Sequence, residues 1–237
     1  MKKTVIIGLV VALVVSCSSE TSSNGNVTLK AAAVSSTGKT SLTSRVASTV
    51  VITDFKINIG NIKFETDEED ERFKNDPSHE DIKLTGPFLL DLLNPEQTLS
   101  QIITSVTVPD AKYEEIKFKF EKSIVAGEMS GKTFLIKGTI DGKDFVLWSG
   151  EEAQLEMDFE DANKDFTVNS ANMTLLIKFR LDAILAKIVS LQSQGLFKDT
   201  DGDGVIEITT GDDDGHHDLG KLFKELLENE THLDDKD

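Results

Sequence analysis

The chain has 237 residues, 42 of them acidic against 25 basic, a formal net charge of −17 at pH 7, and one cysteine. A chain this acidic is repelled by phosphate backbones, which weighs against nucleic-acid partners, and by anionic lipid head groups unless divalent cations intervene. One cysteine excludes an intrachain disulfide and a thiolate metal cluster, so stability has to come from a packed core.

The first segment, MKKTVIIGLVVALVVSCSSE, combines a basic start at Lys2 and Lys3 with an apolar run from Val5 to Val15. That run is too short to span a bilayer and reads as a signal peptide. Its end, Val14-Val15-Ser16-Cys17, resembles the lipobox of bacterial lipoproteins. The resemblance implies that residues 1–16 are removed and that Cys17 becomes a lipidated first residue. The other reading is an ordinary cleaved signal with a chance cysteine. Several buried acyl chains, each CH₂ contributing about 0.8 kcal/mol, make such an anchor effectively permanent. Ser18 stands where an aspartate favours inner-membrane retention in some bacteria, so the expected place is the outer membrane, periplasmic or surface-exposed. Residues 17–48 are rich in Ser, Thr, Ala and Gly and read as a flexible tether; VTLKAAAV, from Val27, is a weak first strand within it.

From Val50 the apolar period becomes two. Phe55, Ile57 and Ile59 alternate with Lys56 and Asn58, and the set resumes on Ile62 and Phe64 after a phase slip at Gly60-Asn61, the signature of a bulge or bend. The DEEDE run at Asp67 to Glu71 reads as a solvated loop. Ile82 and Leu84 begin another strand, and GPFLLDLLNP runs on to Pro95. In KYEEIKFKFEK, Ile116, Phe118 and Phe120 face one way and Lys117 and Lys119 the other. TFLIKGTIDGKDFVLW predicts a hairpin turning on Asp141-Gly142. Leu155, Met157 and Phe159, then Phe166 and Val168, then Met173, Leu175, Ile177 and Phe179 complete the series. Eight or nine short strands, each with one apolar face and no intervening helices, predict an antiparallel β-sandwich over residues 49–180.

Helical spacing follows over 181–230. Leu181, Ile184, Leu185, Ile188 and Leu191 make one stripe closed by Gly195, and Leu219, Leu222, Phe223, Leu226 and Leu227 make a second. These two amphipathic helices are expected to cover an end or edge of the sandwich. Residues 231–237 read as an acidic tail.

Between the helices lies DTDGDGVIEI. Asp199, Asp201 and Asp203 occupy the first, third and fifth positions of an EF-hand-like calcium loop, with Gly204 at the turn and Val205 placed to offer its carbonyl. Ile206 takes the apolar position and Glu207 the ninth. The twelfth position is Thr210, which cannot supply the closing pair of oxygens, and VIEITT reads as a strand where an EF-hand has its exiting helix. The stretch therefore resembles EF-hand, dockerin and thrombospondin type 3 loops over its first half only. The competing reading is a hydrophilic turn before an edge strand. A second cluster, Asp212 to Asp214 with His216, His217 and Asp218, is a weaker zinc or copper candidate. Adjacent histidines on a helix diverge by about 100°, and helix capping accounts for the acids.

No GxSxG, HExxH or phosphate-binding glycine loop is present in the sequence, and the reading is non-catalytic. Paired carboxylates for glycoside hydrolysis would come from distant strands and leave no local signature. A sugar site on aromatic platforms would rest on Trp148 and on phenylalanines that mostly sit in core phase.

NIGNIKFE, GPFLLDLLNP and VPDAKYEEIKFKFEK together resemble an uncharacterised bacterial lipoprotein domain family of unknown function. Val108-Pro109 and Tyr113 match its strand entry, while the glycine it has before the tyrosine is replaced around Ala111-Lys112. The resemblance, over roughly Val50 to Phe179, implies an immunoglobulin-like or transthyretin-like sandwich and an envelope location. It supplies no site residues. The expectation is a membrane-anchored binding or structural module for an unknown protein or glycan ligand, stabilised by calcium. The alternative is a calcium-dependent carbohydrate-binding or adhesion protein.

Overall fold

The computed structural model describes residues 23–34, 50–67, 81–93, 101–158, 166–209, 214 and 217–236. The predicted signal peptide over 1–16, Cys17, the acidic run after Asp67, Phe159, Thr210 and His216 lie outside the described residues. In chain order the elements are β1 (Asn24–Val34), β2 (Val50–Thr66), β3 (Ile82–Asp91), β4 (Gln101–Pro109), β5 (Lys112–Phe120), β6 (Phe134–Ile140) and β7 (Lys143–Ser149). Next come β8 (Ala153–Asp158), β9 (Phe166–Thr167), β10 (Asn172–Arg180), α1 (Leu181–Ser193), β11 (Val205–Ile208), α2 (His217–Asn229) and β12 (Thr231–Lys236). The chain is a mostly-β sandwich with two C-terminal helices, as its period-two strands and later helical stripes require. A four-stranded sheet, ordered β12-β10-β1-β4, faces an eight-stranded one that runs β11-β7-β6-β2-β5-β8 with β3 on β2 and β9 on β5. Phe55 and Phe120 of the larger sheet meet Phe179 of the smaller, with ring centroids 6.0 and 6.3 Å apart.

β2 organises the larger sheet. It is 17 residues long. One edge carries β3 along Lys56 to Phe64. The other edge is shared, with β6 on Val50 to Ile57 and β5 on Ile59 to Thr66. β5 and β6 thus continue one line, interrupted by the excursion 121–133. Asn58 fills the gap where they part: its N–H donates to the Thr133 carbonyl and its Nδ2 to the Glu121 carbonyl, both at 2.8 Å. The slip expected at Gly60-Asn61 is there as a register shift against both β3 and β5. A side chain at Gly60 would meet the end of the Glu121 side chain, which would have to move aside. At the other end of β6, Asp141 (φ 50°) and Gly142 (φ 81°) make the two-residue turn into β7.

The helices form as their stripes demand. Leu181, Ile184, Leu185, Ile188 and Leu191 are the buried residues of α1. Gly195 (φ 70°) ends it, its N–H bonding to Gln192 while Leu196 N–H reaches Leu191, a Schellman closure. Phe223 and Leu227 of α2 are buried and its other three leucines pack on the core.

Three segments differ from expectation. β1, inside the predicted tether, lies centrally between β10 and β4, with Val27 and Leu29 fully buried. Its small residues pack at low side-chain entropy cost once both edges are paired. β4, QIITSVTVP, has no clean apolar alternation, because one edge of it meets β1 and most of its side chains stay partly exposed. β12, within the acidic tail, pairs with β10 along Thr231 to Lys236 and is held by backbone bonding, which composition does not reveal. Two pairings in this otherwise antiparallel fold, β1 with β10 and β7 with β11, are parallel. Deleting 231–237 is expected to cost at least about 2 kcal/mol by stripping the ladder from β10, a fall of roughly 4–8 °C in Tm. An unchanged thermal melt would make the segment a dangling tail after all.

Candidate functional site

The aspartate loop is pinned at both ends. After α1, Phe197 is buried edge-on against Phe145 of β7, at 5.4 Å and 76°. Beyond the loop, Ile206 and Ile208 are buried while β11 adds to β7 in parallel. The residues between are held out beside the β6–β7 turn.

Within it, the Asp199, Asp201 and Asp203 carboxylates converge, each offering an oxygen within 4.8 Å of the others. Backbone N–H groups offset part of their repulsion. Asp199 accepts from Gly202 at 2.6 Å and Gly204 at 3.2 Å, Asp201 from Asp203 at 3.1 Å, and Asp203 from Val205 at 2.8 Å. The two glycines stand at φ 84° and 100°, backbone that other residues resist, so the curl around Asp199 depends on them. Lys143, at the start of β7, brings its ammonium to 3.2 Å from Asp199 Oδ2. The Gly202 N–H first, and then Lys143, hold the Asp199 carboxyl below its ordinary value.

The other predicted residues fare differently. Val205 begins β11 and turns its N–H to Asp203. Glu207 lies in β11, and its carboxylate is not one of the three that converge. Of the second cluster, only Asp214 has a described side chain, and it is buried.

Asp214 cannot be singled out from its acidic run by sequence alone. Its Oδ1 accepts from the Thr200 N–H and hydroxyl, and its Oδ2 from the Glu207 N–H at 2.7 Å. Burial pushes its carboxyl up, but these donors outweigh that and hold it below its ordinary value. It ties the start of the aspartate loop to β11. Trp148 is half-buried, with Lys132 Nζ 5.2 Å from its ring centroid, so that ring is already partnered by a cation. Among the described residues, no helix is long and apolar enough to cross a membrane.

Comparison with protein-family models, with curated proteins and with solved structures finds no match, so the site is read from its geometry alone.

Asp214→Ala is expected to cost about 2 kcal/mol by leaving the Thr200 and Glu207 N–H groups without their acceptor. Because the folded carboxyls of Asp199 and Asp214 lie below 3.8, their stabilisation is complete at neutral pH. It is lost as pH falls below about 3.8 through the folded values. Chemical denaturation between pH 2.5 and 7 checks this: Asp214→Asn should flatten part of the acid limb.

Proposed function

We propose that this chain is a lipid-anchored cell-envelope protein whose sandwich is a non-catalytic binding or structural module, with calcium completing the aspartate loop. The lipid anchor rests on the lipobox-like Val14-Val15-Ser16-Cys17, and the non-catalytic part rests on the sequence motifs. The observation that carries the calcium assignment is the convergence of the Asp199, Asp201 and Asp203 carboxylates within 4.8 Å. Oxygen-only donors select a hard cation, and a site short of the closing bidentate carboxylate belongs with loops that fill at about 0.1–1 mM outside cells. Calcium then bridges carboxylates that otherwise repel one another and stiffens the link from α1 to β11.

In the chain from Ser18 onward, 10 mM calcium acting on a site of about 1 mM Kd should add about 1.4 kcal/mol, or roughly 3–6 °C in Tm. Asp201→Ala and Asp203→Ala should each abolish the shift. A melt that does not move in wild type removes calcium from the proposal.

Lys143 competes for Asp199, so Lys143→Gln should tighten calcium binding about two- to fivefold by calorimetry. Weaker binding in that variant would mean that Lys143 supports the loop rather than opposing the ion. The anchor is tested apart from the metal. Cys17→Ala should move the protein from the detergent phase to the aqueous phase in a phase-separation assay, and continued detergent partitioning would contradict lipidation at Cys17.

A further inference from the structure

On the outer face of the larger sheet the lysines are arranged against the usual rule. Lys83 of β3, Lys63 of β2 and Lys117 of β5 stand directly opposite one another in a single cross-strand row. Like charges so placed destabilise a sheet. Lys119 lies one step along β5, opposite Asn61 of β2 and Gln154 of β8. Together with Ile62, these residues line a cleft of about 220 Å³.

Flanking acids relieve part of the cost. Lys63 binds Glu65 and Asp81, Lys117 binds Glu65 and Glu115, and Lys119 binds Glu121 and Glu152. Those carboxylates lie outside the lining. An ammonium has three donors. Among the described residues Lys63 and Lys119 each engage two and keep one, whereas Lys117 reaches three oxygens, both of Glu65 and one of Glu115. Lys83 is exposed and has no ion pair among the described residues. Asn61 Nδ2 and Gln154 Nε2 each donate once, to Glu121 and Glu156, and each keeps a second N–H. The lining is therefore rich in donors, with only two amide oxygens as acceptors. Hydrogen bonding from the flanking acids raises the Lys63, Lys117 and Lys119 ammoniums above their ordinary value, so all stay charged.

We infer that this cleft is a binding site for a small multivalent oxyanion, a sulfate or carboxylate group free or at the end of a larger ligand. The occupant has to be acceptor-rich to match the lining. It has to be small, because 220 Å³ falls below the roughly 300–1,000 Å³ of drug-sized pockets. It also supplies a counter-charge to Lys83, which has none among the described residues. The inference is independent of the aspartate loop, which lies at β11 and the β6–β7 turn.

The test is calorimetry on the chain from Ser18 onward, calcium-free, with sulfate and malonate titrated at constant ionic strength in chloride. Saturable heat at millimolar concentration is expected from at least one of them. Binding to sulfate alone points to a sulfated ligand, and to malonate alone points to a carboxylate. Lys83→Gln leaves the flanking ion pairs in place and should weaken binding about fivefold. Lys119→Gln should weaken it too, while Lys137→Gln, whose partner is Glu128 elsewhere on the sheet, should not. No saturable heat with either anion, or undiminished binding in Lys83→Gln, overturns the inference.

Discussion

The rest of the structure hangs on the length of β2 and on the change of partner in its middle. A strand of 17 residues offers more edge than one neighbour can use. Here β6 takes the first half and β5 the second, with Asn58 satisfying the carbonyls of Thr133 and Glu121 where the two diverge. That fork sets where the β6–β7 hairpin lies, and β7 in turn receives β11. The aspartate loop is therefore placed by a chain of backbone pairings that begins at β2. Asn58 carries a cost as well, since its buried Oδ1 has no partner among the described residues. Keeping a polar side chain at 1 % exposure makes sense only if the Glu121 carbonyl would otherwise be stranded, since the Thr133 carbonyl is met by the backbone N–H.

Electrostatics then divides the molecule's labour. The buried residues are mainly apolar, with a few polar ones such as Asn58 and Asp214 among them, and the other described acids lie mostly on loops and outer faces. Where acids gather, backbone N–H groups or lysines offset them. Three carboxylates at Asp199, Asp201 and Asp203 are held by four N–H bonds and one ammonium. Asp214 solves the same problem differently, by burial with a full set of donors. The first arrangement leaves the Asp201 and Asp203 side chains exposed, and the second is buried.

How much of this was legible depended on whether the cause was local. Alternation in β5, the Asp141-Gly142 turn, the slip at Gly60-Asn61 and the α1 stripe ending at Gly195 are written within a few residues, and each was readable. β1 was readable only as a weak strand, without its central place, and β12 not at all, because each is fixed by β10, a strand distant from β1 in sequence. Nothing in NGNVTLKAAAV announces a central strand, and nothing in THLDDK announces an edge one. Tyr113 has a structural role: its ring is fully buried against Phe166, and its hydroxyl donates to the Pro109 carbonyl at 3.0 Å. Similarly, the three aspartates were readable as a converging set, whereas Asp214 was hidden in an acidic run because its donors, Thr200 and Glu207, come from another segment.

The central claim is that the aspartate loop is a clasp between α1 and β11 that a calcium ion completes. Amide hydrogen exchange with and without calcium addresses it most directly. The account predicts slower exchange in calcium at the Gly202, Gly204 and Val205 N–H groups and along β11, with α2 and β5 unchanged. Equal exchange across the loop in both conditions would contradict it and leave DTDGDGVIEI as a turn held by its own backbone.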